Sequence, residues 1–165
     1  MAFDAFLKIE GIPGESTDDK HKDWIEVLSY SHGLSQPSGG SRSSGGAPSG
    51  ERCNHQDFSI VKVLDKASAK LALFCCKGDP ISEVKIELCR ATGDKQAYML
   101  YTMTDVIISS HRPGGSAHGG EPLPLEEVSF NYGKIEWKYT ETEHGTGKPK
   151  GDVIANWSVI ENKGG

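Results

Sequence analysis

The sequence lacks any apolar run of about 18 residues, so no segment reads as a membrane-spanning helix. Its opening, MAFDAFLKIEG, has no basic stretch or long apolar centre and carries Asp4, so no secretory signal peptide is expected. There is no dense basic cluster, and the net charge is −5. Phosphate neutralisation, the basis of nucleic-acid binding, is therefore unsupported. Only four cysteines occur, Cys53, Cys75, Cys76 and Cys89, and the adjacent pair is badly placed to bridge to itself. Reduced thiols in the cytoplasm are the simpler reading.

Motifs of chemistry are missing too. The histidines and cysteines (His21, His32, Cys53, His55, Cys75, Cys76, Cys89, His111, His118 and His144) make no CxxC or HxxxH pair. Cys53 and His55 are two apart on a predicted strand, a two-ligand start without a second pair. No GxSxG elbow appears. Cys75 and Cys76 fall at a predicted helix C-terminus, where the helix dipole disfavours a thiolate, and Cys89 reads as strand packing. Glu126 and Glu127 are neighbours on a strand and point to opposite faces. The Gly-Gly pairs do not form GxGxxG or Walker loops. No enzymatic activity, cofactor or metal is expected.

What is present is β-strand. In LPLEEVSFNYGKIEWKYTET, from Leu123 to Thr142, Val128, Phe130 and Tyr132 alternate with Ser129 and Asn131. After Gly133 the apolar set resumes at Ile135, Trp137 and Tyr139, and the parity has slipped by one. A glycine bulge at Gly133 in one long bent strand restores the buried side; a hairpin through residues 131–133 is the alternative. A long strand bent at glycine suits a curved sheet or a barrel.

The rest of the chain is read around that strand. Residues 2–12 predict a first strand burying Phe3, Ala5, Leu7 and Ile9, with Phe6 on the polar face as a candidate subunit contact. Residues 13–22 are a charged loop. The stretch from Trp24 is a second strand, apolar on both faces in its first half. Residues 33–51 are nearly all Gly, Ser, Pro and Ala and read as a long flexible loop, either a tolerated insertion or a segment that orders on meeting another subunit. Asn54 to Leu64 is a third strand. Asp65 looks like a helix N-cap, Gly78 a C′ stop, and the helix between is striped with Ala67, Leu71, Phe74 and Cys75, widened by Ala69, Leu73 and Cys76. Strands follow at 81–90 and 96–110, then a Gly/Pro loop from His111, the central strand, a turn at EHGTGKPKGD, and a last strand from Val153. One domain of 165 residues with about eight strands and one helix predicts a mainly antiparallel β-barrel or sandwich.

Five blocks together carry a resemblance: FLKIEGIPGES, VLSYSHGLSQP, VLDKASAKLALFCCKG, DVIISS and LEEVSFNYGKIEWKY. In order and spacing they resemble the haemolysin co-regulated protein (Hcp) family of bacterial type VI secretion, from Met1 to about Ile160. The resemblance implies a compact β-barrel of two sheets with one flanking helix at about 66–77. It implies a ring of six identical subunits, stacking of rings into the inner tube of a contractile machine, and small effector proteins held in the lumen. Sheath and spike proteins are the further partners implied. Assembly would be cytoplasmic, with expulsion into the extracellular space or a target cell by a route that needs no signal peptide. The chain ends soon after its last strand, so no fused toxin is expected.

Matched block by block, the resemblance puts Ser31 toward the ring interior as a cargo contact. It makes Ser35, Gln36, Ser41, Arg42 and Ser43 part of a loop, residues 34–51, that reaches a neighbouring ring. It sets Pro13 to Ser16 near a subunit contact. The rival reading is a monomeric ligand-binding β-sandwich.

Overall fold

The computed structural model describes residues 3–37, 52–91, 95–120 and 122–165. The elements in chain order are β1 (Phe3–Ile9), β2 (Ile25–Val27), β3 (Ser29–Ser31), β4 (Leu34–Ser35), β5 (Asn54–His55), β6 (Phe58–Val63), α1 (Ser68–Lys77), β7 (Ile81–Arg90), β8 (Ala97–Gly114), β9 (Leu125–Thr142), β10 (Pro149–Ser158) and β11 (Lys163–Gly164). All strand pairs are antiparallel. The protein is a β-barrel with one short flanking helix.

The predicted second strand is in fact two, divided at Leu28. β2 pairs with β1 and β3 pairs with β6. Leu28 bridges them by donating its N–H to Val61 at 2.8 Å. The pairings run β1–β7–β8–β9–β6–β3, and the bend at Leu28 leads back to β1, so the barrel's seam is a strand that changes partner. The expected burial of both faces of this stretch is not found. Ile25 and Val27 are buried, but Leu28 is 56 % exposed because its side chain sits outside the seam.

β9 is the organiser. Its first half lies between β6 and β8, and its second half between β8 and β10. It runs unbroken through Gly133, so the hairpin alternative is excluded. The expected bulge at Gly133 is corrected as well. Val106 faces Tyr132 and Thr104 faces Lys134, so Asp105 stands opposite Gly133 with the register unchanged on either side. Both strands slip parity together: Met103 gives way to Val106 and Ile108 on β8, as Tyr132 gives way to Ile135 on β9, and all five are buried. The register shift in this ladder lies instead at residue 109 of β8.

The core gathers Leu7, Ile9, Ile25, Phe58, Ile60, Leu71, Val84, Ile86, Met103, Val128, Phe130 and Ile135 among others. β7 matches its predicted bounds. The helix begins at Ser68, later than predicted: Asp65 Oδ1 accepts from Ala67 N at 2.9 Å in the turn that leads in, and Ser68 Oγ accepts from Asp65 N at 3.1 Å. Gly78, at φ 65°, ends it by donating to Phe74 O at 2.9 Å, the left-handed stop that glycine adopts without strain. Ala67 and Leu71 are buried, whereas Leu73 is 49 % exposed and Cys76 is exposed, so the apolar stripe is narrower than expected. β8 continues through residues 111–114, expected to be loop, because Glu126 and Leu125 on β9 pair with Pro113 and Gly114. β10 likewise starts four residues before Val153.

Candidate functional site

Three surfaces and one buried cluster were candidates. The first surface is the outer face of β3, β6, β9 and β8. Cross-strand partners share a face, and Ser31 pairs with Ser59, Ser59 with Ser129, and Ser129 with Ser110. Four serines thus form a row across four strands, with Ser59 and Ser129 hydroxyls 2.9 Å apart. The sequence singled out Ser31; the other three were not, since cross-strand alignment is invisible in a linear pattern. Ser31 is exposed at the row's end.

The second surface is the base of the long loop. β4 pairs with β5, Leu34 to His55 and Ser35 to Asn54, and Gln56 donates to Gly33 O at 2.9 Å. Ser35 and Gln36 are exposed here. Ser41, Arg42 and Ser43 lie outside the described residues. Beneath, the Tyr132 hydroxyl lies 2.7 Å from His32 Nε2 and 2.8 Å from His55 Nδ1. The two histidines flank the loop in sequence, so Tyr132 ties both its ends to β9. Burial lowers the pKa of His32, with the charge of His55 adding to it, and burial lowers His55. Burial first, then Cys53 and Asp57, raises Tyr132. The Cys53 thiol donates to Asn54 O at 3.8 Å.

The third surface is a sheet that outruns the core. On β8, β9 and β10, Tyr101, Trp137 and Ala155 form one cross-strand row, and Met99, Tyr139 and Val153 the next. These rows continue the face that buries Met103 and Ile135, but beyond the barrel. Tyr139 is 48 % and Val153 67 % exposed, and Ile154 on the opposite face is 53 % exposed. β11 pairs with β10 at Trp157 and Ser158, and Gly165 and Asn156 exchange backbone hydrogen bonds of 3.2 Å beside them. Across the molecule, Leu28, Leu64 and Leu123 line one groove with Glu15 and Ser16. That groove adjoins the Pro13–Ser16 segment singled out from the sequence.

The buried cluster sits under the 13–22 loop. Phe6, expected to face outward, is buried: the His21 ring stacks on it with centroids 4.1 Å apart. His21 is itself buried, and its Nδ1 donates to Asp18 at 2.6 Å. That bond, then one from Lys95, holds Asp18 down at about 2. Cys89 lies 3.8 Å from His21 Nε2, and burial, then Glu87, pushes its thiol up to about 12. A thiol so placed is a protonated, poor nucleophile.

The family model for the type VI secretion system effector Hcp matches residues 6–139. Protein hcp1 of Pseudomonas aeruginosa is 34 % identical over 163 residues, 98 % of each chain. A solved type six secretion system protein superposes with a TM-score of 0.93 at 34 % identity, covering 99 % of this chain and 100 % of that one. Hcp1 from Salmonella typhimurium superposes with a TM-score of 0.81 at 33 % identity, covering 99 % of each. The chain therefore belongs to the Hcp family of the type VI secretion system.

Proposed function

We propose that this protein is a tube subunit of the type VI secretion system: six copies close into a ring, rings stack, and the tube is expelled with small effector proteins in its lumen. The observation that carries the reading is the bare apolar sheet end at Tyr139, Val153 and Ile154. Burying a Val or Ile side chain fully is worth about 1.5–3 kcal/mol, so a surface of this kind gains by meeting another. The groove at Leu28, Leu64 and Leu123 is a different patch of matching character. One patch meeting a different patch on the next copy is a heterologous contact, which closes into a ring when its rotation permits.

Exposed Ser31, with half-buried Ser59 and Ser110 on the same row, supports a lumen lined in part by small hydroxyls, while Ser129 is buried beneath them. Such a wall holds a cargo through hydrogen bonds without an apolar grip, so release follows tube dissociation. The loop carrying Ser35 and Gln36, with Ser41, Arg42 and Ser43 further along it, is assigned to ring stacking on the family resemblance. Assembly in the cytoplasm precedes expulsion, and sheath and spike proteins are the expected partners. Among the described residues no helix is long and apolar enough to cross a membrane.

The test is mass in solution by light scattering, with negative-stain images of the same sample. A six-chain particle with a central hole is expected. A clean monomer at high concentration overturns the assembly and favours a ligand-binding module.

A further inference from the structure

Three lone-pair donors converge beneath the 13–22 loop. His21 Nε2 lies 3.3 Å from Glu87 Oε1 and 3.8 Å from Cys89 Sγ, and Sγ lies 3.9 Å from Oε1. The other ring nitrogen, Nδ1, already donates its proton to Asp18. In the neutral ring, therefore, the Nε2 lone pair faces a carboxylate at 3.3 Å, which is repulsive. A cation within this triangle would relieve that repulsion.

The triangle has the dimensions of a metal site. Zinc–ligand lengths of about 2.0–2.3 Å in a tetrahedron give ligand–ligand edges of roughly 3.3–3.6 Å, within a few tenths of an ångström of those observed. One sulfur, one imidazole and one carboxylate suit zinc in softness. The Asp18 carboxylate behind His21 is the partner that fixes the tautomer of a metal-bound histidine. Phe6 and Trp24 enclose the ring as an apolar wall, while Glu87 is 23 % exposed.

We propose that His21, Glu87 and Cys89 bind one divalent transition ion, zinc by preference, which staples the 13–22 loop to β7. Binding replaces the Cys89 thiol proton, which leaves to solvent, with a metal–sulfur bond. The site is independent of the ring assembly.

Cobalt(II) titration of metal-free protein tests it, since a thiolate ligand gives a near-ultraviolet charge-transfer band. Saturation at one ion per chain is expected, with displacement by zinc and loss of the band in Cys89→Ala. Asp18→Asn should weaken binding by about 10–100-fold. Glu87→Gln, part exposed and close in shape, guards against misfolding of the cysteine variant; its affinity should fall at least about tenfold. No band in folded wild-type protein, a band that survives Cys89→Ala, or unchanged affinity in Glu87→Gln each overturns the site.

Discussion

Asp105, in the left-handed region at φ 52°, stands directly opposite Gly133 in the β8–β9 ladder. At this pair the two strands exchange buried faces together, so the barrel core on one side continues as the extended sheet on the other. A Cβ on Gly133 would lie 3.0 Å from the Asp105 Cβ and 2.7 Å from Ile160 Cδ1. Asp105→Gly is therefore expected to raise stability by up to about 1 kcal/mol by relieving the left-handed strain. Gly133→Val should lower it, because its Cβ would crowd the Asp105 Cβ even after the exposed Ile160 side chain moves aside. Urea midpoints check both, and a neutral Gly133→Val would refute the close-approach argument.

Val153→Asp and Leu28→Asp each place a charge on one of the two proposed contact patches. Both side chains are more than half exposed in the free subunit, so each variant should fold with an unfolding midpoint near that of wild type. Each should run as a monomer in light scattering. Rings formed by both variants alike would mean that the interface lies elsewhere.

Lys62 is fully buried on the core face of β6, bonded to Glu126 at 2.9 Å, Asp65 at 2.8 Å and Val63 O at 2.9 Å. Lys62→Met leaves the Glu126 carboxylate buried without its cation, and a loss of about 3–5 kcal/mol is expected. Burial works to raise the Glu126 pKa, but the hydrogen bonds from Lys62 and Ser68 outweigh it and the net direction is down. A lowered carboxylate pKa contributes stability above the unfolded value of about 4.3 and loses it as pH falls through the folded one. Acid unfolding should therefore be shallower in a Lys62→Met, Glu126→Leu double variant.

The loop clamp makes a second pH prediction. With neutral rings, the Tyr132 hydroxyl donates to one histidine and accepts from the other. With both rings charged, both must donate to the same oxygen and repel. Lowered pKa values for His32 and His55 mean that the unfolded chain takes up protons first. The stabilisation is complete above an unfolded value of about 6.5 and is lost as pH falls below it. His55→Gln should flatten the pH dependence of the melting temperature between about pH 7 and 5; an unchanged slope would count against the clamp.

Local periodicity located β7 and the central strand well, since each buries a regular alternation. Gly78 announced the helix end by its chemistry alone. The misreadings share a cause: contact between distant segments. Phe6 looked outward because the ring that covers it, His21, arrives from the next loop. Leu28 looked buried because nothing local marks a change of partner. His21 and Cys89, 68 apart, could not be paired from spacing. The serine row was one-quarter legible, since register aligns the other three. The family resemblance supplied the assembly, which no single residue announced.

β10 carries a liability that goes with its role. From Pro149 to Ala155 one side of its backbone has no strand beside it among the described residues, and both faces present apolar side chains. Such an edge templates unwanted pairing between copies, the first step toward fibres. Pro149 removes a donor at the start, and Lys148, Lys150 and Asp152 set charges along it, devices that discourage a second strand from docking in register. A free subunit is thus safest when consumed promptly, and its shelf life should depend on how fast its proper neighbour arrives.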